Sequence, residues 1–241
     1  MSVAISVIVP CYNEETIIAR SVATLLDAMS ACTRDFEILL SNDGSVDRTF
    51  EIIRGLAERH PHVRALGYDV NRGAGHAFRH ALAQARGDHV VHMDADLAMD
   101  PLEVCRRFLA ELAACDIVIA SRYLGERADY PLRRRIPSRI YGVIFRTLFG
   151  VTIRDAMSGF FGFRRAILGQ IPPLESDGFE VYVELFVSAS RRGLRVVEIP
   201  MKFQHQTESG EMSVLRQAPT QFLNTLRIWK KLRRATTPAR H

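Results

Sequence analysis

Asp94-Ala95-Asp96 sets two carboxylates two residues apart at the end of an apolar run, His89–Met93. In an extended segment such residues face the same side. Two convergent carboxylates are costly unless a positive charge lies between them, and a hard divalent cation shared with substrate phosphates meets that need. A solvated turn that caps the next helix is the plainer reading. Asp43-Gly44-Ser45-Val46-Asp47 stands in the same relation to the run Phe36–Leu40. Gly44 permits a tight turn, Ser45 or Asp47 suits a helix cap, and Asp43 suits hydrogen bonds from a ribose or a base edge. Asn71-Arg72-Gly73-Ala74-Gly75 offers a glycine-bearing helix entry where backbone can approach a nucleotide or a phosphate closely, or simply turn. It follows the third strand and lacks a third glycine, which argues against a dinucleotide fingerprint and hence against a dehydrogenase.

These segments need elements to carry them, and the hydrophobic pattern supplies an alternation of strands and helices. Val3–Val9 is a β-branched run, apolar except for Ser6, as expected of a strand covered on both faces. Ile18, Val22, Leu25 and Met29 follow at helical spacing, with Glu14 and Glu15 expected in the first turn. The pattern repeats with strand Phe36–Leu40 and a helix near Asp47–Glu58, strand Val63–Gly67 and a helix near Ala74–Ala85, strand His89–Met93 and a helix opening at Pro101, then strand Ile117–Ala120. Such alternation predicts an α/β fold with parallel strands and ligands at their carboxyl ends. Beyond Gly125 the rhythm changes to an Arg-rich connection, an amphipathic helix near Ser138–Phe149, a strand Gly159–Arg164, a helix Gly178–Arg191 and a strand Arg195–Ile199. The stretch from Val214 to Leu232 predicts a further amphipathic helix, with Leu215, Phe222, Leu223, Leu226, Trp229 and Leu232 at roughly helical intervals and basic residues between them.

Composition sets the bounds. An apolar content of 47% over 241 residues supports a substantial core. The net charge of +5 is too modest to argue for nucleic acid, but it is unevenly placed. Residues 127–165 carry nine arginines against Asp129 and Asp155, and residues 216–241 carry seven Lys or Arg and no acid. The cluster is either an anion site or a solvated face. Cys11, Cys32, Cys105 and Cys115 show no metal-ligand spacing, which predicts free, buried thiols in a reducing compartment. No signal peptide precedes the first strand, and Ile140–Val151, interrupted by Arg146, is shorter than the roughly 20 apolar residues a bilayer crossing needs. The expected location is cytoplasmic, or peripheral on the inner face of a membrane.

Six segments occur in the order seen in family 2 glycosyltransferases: Pro10-Cys11-Tyr12-Asn13-Glu14-Glu15, Asp43-Gly44-Ser45-Val46-Asp47, Asn71-Arg72-Gly73-Ala74-Gly75, Asp94-Ala95-Asp96, Ser121-Arg122-Tyr123 and Asp155-Ala156-Met157-Ser158-Gly159-Phe160. Over residues 3–200 the chain resembles that family, and within it the dolichyl-phosphate and polyprenyl-phosphate mannosyl- and glucosyltransferases. The resemblance implies a GT-A, Rossmann-like fold: a mostly parallel central sheet with helices on both faces, plus amphipathic C-terminal helices. It implies a catalytic domain over 1–213, with a nucleotide-sugar half at 1–124 and an acceptor half at 125–213, followed by a basic tail at 214–241. A UDP- or GDP-sugar would be held by Pro10, Tyr12, Glu14, Ser41, Asp43, Gly73, Asp94, Ala95 and Asp96, with Mg²⁺ or Mn²⁺ on Asp94 and Asp96. Arg122, Arg134 and Ser138 would bind the acceptor phosphate, and Asp96, Asp155 and Arg122 would carry catalysis. Arginine suits that role because its planar fork donates two parallel bonds and stays charged.

The implied reaction is a single displacement with inversion. A lipid phosphate, with a second pKa of roughly 6, is already mostly ionised near neutrality and needs no base. A hydroxyl acceptor does, and Asp155 is then the candidate, with Glu184 second. Three departures from the family pattern stand out. Ala98 occupies a position where mannosyl-type relatives carry Gln, Asn42 stands where an acid is common, and residues 204–213 lack the Arg and Ser-Lys pair that clamps phosphates. Either Lys202, His205 or Arg216 supplies that charge, or the acceptor is not a lipid phosphate. A soluble hydroxyl acceptor and a non-catalytic nucleotide-sugar-binding module are the competing readings. The basic amphipathic segments suit contact with an anionic membrane.

Overall fold

The computed structural model describes residues 4–124, 142–202, 226–230 and 232. The strands are β1 (Ile5–Cys11), β2 (Phe36–Asp43), β3 (Val63–Tyr68), β4 (His89–His92), β5 (Ile117–Ser121), β6 (Phe161–Arg164) and β7 (Val196–Pro200). The helices are α1 (Ile18–Cys32), α2 (Thr49–Arg59), α3 (Ala74–Leu82), α4 (Pro101–Leu112), α5 (142–149) and α6 (Glu180–Arg191). One sheet contains all seven strands in the order β3-β2-β1-β4-β6-β5-β7. It is parallel except for β6, which runs antiparallel to both β4 and β5.

Alternation along the buried strands explains the layers. On β1, Ile5, Val7 and Val9 join a core with α1, α2 and α4, whereas Ile8 faces the opposite core with α3, α5 and α6. Helices therefore cover both faces, and β2 is buried along its whole length. Residues 226–230 are helical too, and Ile228 and Leu232 pack into the second core.

The amphipathic spacing of α1 holds, since Ile18, Val22, Leu25 and Met29 are buried. Its start differs from expectation. Glu14 and Glu15 lie in a turn ahead of the helix, and its first turn holds no acid. The helix at Pro101 is capped by Asp100, whose carboxylate accepts from the Leu102 amide at 2.9 Å. All four cysteines are free thiols, three of them buried.

Between β1 and β4 the direction of strand succession reverses. β1 passes on to β2 on one side, while β4 pairs with it on the other. In a sheet of this kind the crevice beyond the carboxyl ends at such a reversal receives the ligand. Glu14 follows β1 and Asp94 follows β4, so both flank that crevice.

Candidate active site

Asp94 and Asp96 meet for a different reason than strand alternation. β4 ends at His92, and the chain then turns, with the Leu97 amide donating to the Asp94 carbonyl at 3.1 Å. The Ala98 amide donates to Asp96 Oδ1 at 3.2 Å. The turn places buried Leu97 at φ 47°, a left-handed conformation that costs a non-glycine residue about 1–2 kcal/mol. Strain is thus stored beside the two carboxylates.

Electrostatics show how tightly the acids are gathered. Burial pushes the Asp94 carboxyl up to about 6, with the Arg122 guanidinium pulling the other way. Asp96 is raised by burial and then by Asp94, and Glu14 by burial and then by Asp96, Asp47 and Asp94. Three carboxylates from two neighbouring strand ends therefore oppose one another's ionisation, which is the donor set a hard divalent ion relieves. Among the described residues no three His, Cys, Asp or Glu side chains cage an ion by themselves. Asp94 and Asp96 are the acids that would hold such an ion, in the company of donors from outside the chain.

The loops after β1 and β2 are knitted into one surface. The Asn13 amide donates to Ser45 Oγ at 3.0 Å, and the Val46 amide donates to Asn13 Oδ1 at 3.0 Å. The Glu14 amide donates to Thr49 Oγ1 at 2.7 Å, and the Glu15 amide to Asp47 Oδ2 at 3.2 Å. Asp47 Oδ1 also accepts from the amide of Thr49, the first residue of α2, at 2.9 Å. Tyr12 projects from this surface, 45% exposed, and Pro10 lies at the end of β1.

Asp43 is only 3% exposed, and its carboxylate organises the next loop. It accepts from the Tyr68 hydroxyl at 2.7 Å, Asn71 Nδ2 at 3.0 Å, the Arg72 amide at 2.8 Å and the Gly73 amide at 2.9 Å. Those donors account for the four lone-pair positions of a carboxylate. Gly73 itself sits at φ 103°, and a Cβ there would lie 2.5 Å from the Asp177 carbonyl. Ser41 is fully buried, its hydroxyl donated to the Ala77 carbonyl at 2.9 Å, where it holds α3 on the sheet. Ala95 is buried in the turn between the two carboxylates.

Arg122, at the end of β5, forms a fork with Asp155. Its Nε donates to Oδ2 at 2.9 Å, its Nη2 to Oδ1 at 2.6 Å and its own amide to Oδ2 at 3.0 Å. Asp155 is 2% exposed, so the guanidinium is aimed by a buried anion. A carboxylate engaged at both oxygens is poorly placed to take a proton, and the geometry makes Asp155 a positioning group for Arg122. Glu184 is buried, and its Oε2 accepts from the Glu175 and Ser176 amides at 2.9 and 3.0 Å.

Two contributors escaped the sequence reading. Glu198 on β7 accepts from the Arg154 and Asp155 amides at 2.9 and 2.8 Å and so fixes the segment that carries Asp155. His92, read simply as part of an apolar strand, is fully buried with both ring nitrogens engaged. A lone histidine inside a run covered on both faces was the available signal. Arg134, Ser138, residues 204–213 and most of the 214–241 tail lie outside the described residues, so the acceptor-side expectations placed there are not located.

Comparisons with known proteins bear on the family and the fold. Residues 6–171 match the family model described as Glycosyl transferase family 2. The chain is 30% identical over 240 residues to the glycosyltransferase AglD of Haloferax volcanii, covering 95% of this chain but 38% of that protein. It is 31% identical over 236 residues to the dolichol-phosphate mannosyltransferase of Saccharomyces cerevisiae, covering 94% and 87%. With the polyprenol monophosphomannose synthase of Mycolicibacterium smegmatis it shares 33% over 205 residues, covering 82% and 76%. The fold is shared with the mannosyl-3-phosphoglycerate synthase of Rubrobacter xylanophilus, with a TM-score of 0.74 at 16% identity over 99% of this chain and 77% of that one. The Mycobacterium tuberculosis glucosyl-3-phosphoglycerate synthase, solved with Mn²⁺, UDP and glucosyl-3-phosphoglycerate, gives 0.69 at 22% over 94% and 79%. Carboxylates crowded at the reversal point of a mostly parallel sheet and a family match across most of the chain lead to one assignment: this chain belongs to glycosyltransferase family 2.

Proposed function

We propose that the chain moves a hexose from a UDP- or GDP-sugar to the phosphate of a polyprenyl lipid, with inversion at the anomeric carbon. The observation that carries the reading is Arg122, clamped by buried Asp155 within electrostatic reach of Asp94. A guanidinium held in this way supports the reading as a fixed positive charge beside the acids suited to an ion and a diphosphate. Relatives that act on dolichol phosphate and polyprenol phosphate support the acceptor class.

The knitted loops carrying Tyr12 and Glu14, with Gly73 and its loop, hold the nucleoside and exclude water from it. Bound on Asp94 and Asp96, Mg²⁺ or Mn²⁺ would supply Lewis-acid charge for the departing nucleoside diphosphate. Arg122 orients the acceptor phosphate, one of whose oxygens forms the new bond to the anomeric carbon as the bond to the diphosphate breaks and its electron pair leaves with the diphosphate. No proton has to be removed from such an acceptor, which accords with an Asp155 already committed to Arg122. Peripheral attachment to an anionic, cytoplasmic membrane face completes the reading; among the described residues no helix is long and apolar enough to cross a membrane. Binding to anionic vesicles should fall with added salt and with deletion of residues 214–241.

The test is incubation of the purified protein with UDP-glucose or GDP-mannose, with Mn²⁺, Mg²⁺ or chelator, and undecaprenyl phosphate in detergent, followed by mass spectrometry of the organic phase. One donor should yield a lipid-linked hexose only with the ion. Donor binding without transfer, or transfer to soluble hydroxyl acceptors alone, would overturn the lipid-phosphate assignment.

A further inference from the structure

We propose that His92 and Tyr182 are positioning residues for the Asp94 carboxylate, acting through the Gly159 peptide. The inference rests on the reading of Asp94 as an ion ligand and deepens it. His92 closes β4 two residues before Asp94, with its side chain directed into the α3 and α6 layer. Its Nδ1 lies 2.8 Å from the Gly159 carbonyl oxygen. A carbonyl only accepts, so Nδ1 carries the proton, and Nε2 is left as an acceptor in the neutral ring. The Tyr182 hydroxyl stands 2.7 Å from Nε2 and donates to it. One direction of donation therefore runs from α6 through β4 to the segment before β6.

The ring has little freedom to choose another arrangement. It stacks on Phe161 with centroids 4.8 Å apart and planes 3° from parallel, and it meets Phe78 and Tyr182 edge on. β6 begins at Phe161, so the Gly159 carbonyl lies beyond the β4–β6 ladder. His92 supplies the donor that the ladder does not.

What Gly159 does gives the arrangement its consequence. A Cβ on Gly159 would lie 1.7 Å from Asp94 Oδ2 and 2.3 Å from its Cγ, so the carboxylate rests directly against the glycine backbone. Ser158 anchors the same strip from the other side, its hydroxyl donating to the Ala120 carbonyl at 2.7 Å. The height of this wall sets where the Asp94 oxygens can sit. A buried hydrogen-bonded histidine that merely completes the core would be indifferent to the contents of the crevice. One that fixes the backing of an ion ligand behaves as outer-shell partners of metal sites do.

Two measurements test this. In the ion-free protein labelled with ¹⁵N-histidine, long-range proton–nitrogen correlation should show His92 as the neutral Nδ1–H tautomer at pH 7. The Nε2–H tautomer, or a charged ring, would overturn the relay. The second is Mn²⁺ uptake in the presence of UDP or GDP, read from the free-ion signal in electron paramagnetic resonance. His92→Leu should weaken Mn²⁺ binding about 10–100-fold, whereas His92→Asn, whose amide can still donate toward Gly159, should recover most of the loss. Tyr182→Phe, which keeps the ring and removes only the hydroxyl, should weaken binding in the same direction and serves if His92→Leu does not fold. A purely structural role would lower the unfolding temperature of these variants and leave the Mn²⁺ affinity of the folded protein unchanged, which would overturn the proposal. Wild-type protein that takes up no Mn²⁺ with either nucleotide would instead overturn the ion site itself, and this inference with it.

Discussion

At Asp94 the requirements of the proposed ion and of the fold oppose each other. Its carboxyl is raised from an ordinary 3.8 to about 6, so the folded protein favours the protonated form and loses stability as pH rises through about 6. The gap corresponds to about 2–3 kcal/mol. Asp94→Asn should therefore stabilise the ion-free protein by about 2 kcal/mol at pH 7.5, with the gain vanishing below pH 4, in urea titrations. The same variant should lose nearly all turnover. Gly159→Ala sends a methyl group into the Asp94 carboxylate and should reduce turnover by about a hundredfold while the protein stays folded, as circular dichroism would show. Asp155→Asn separates positioning from proton transfer. It should weaken acceptor KM and kcat while leaving the shape of the pH–rate profile unchanged, whereas loss of one limb of the profile would identify Asp155 as a base.

At the scale of elements, the site is made by loops that hold one another. Asp43→Asn replaces an acceptor of four donors with a side chain that accepts at one atom only, and should cost about 2–3 kcal/mol and raise donor KM. Chemical denaturation and donor saturation curves check both. Much of this was legible beforehand. Strand ends carrying Asp43 and Asp94 follow from apolar runs broken by acid-glycine or acid-alanine-acid segments, and parallel pairing follows from the alternation of elements. The antiparallel course of β6 was not, because a short apolar run such as Phe161–Arg164 has no intrinsic direction and takes it from β4 and β5. Nor was the role of Asp155, since its partner Arg122 lies 33 residues away in the chain. Strand periodicity gave the right neighbourhood for Asp94 and Asp96 but not its geometry, because β4 ends at His92 and a turn closed by the Leu97 amide on the Asp94 carbonyl carries both.

For the whole molecule, the end of the sheet opposite the candidate site carries a hydrogen-bond network of its own. Far from the crevice, Glu37 on β2 accepts from Ser6 Oγ at 2.7 Å, Arg64 Nη1 at 2.7 Å and the Arg86 amide at 2.7 Å. Burial raises its pKa, but the Ser6, Arg64 and Arg86 hydrogen bonds outweigh burial, and the net shift is downward from 4.5. The stabilisation is therefore present above pH 4.5 and is lost as pH falls below it. Glu37→Gln should lower the unfolding temperature at pH 7 and flatten its acid dependence, without changing the response to Mn²⁺. The central claim concerns the other end, where carboxylates from neighbouring strand ends are proposed to unite an ion with a diphosphate. Calorimetric titration of UDP and of GDP, with Mn²⁺ and with chelator, tests it most directly. One nucleotide should bind at least about tenfold more tightly with the ion, and Asp96→Asn should abolish the difference; equal affinity with and without Mn²⁺ in the wild-type protein would contradict the account.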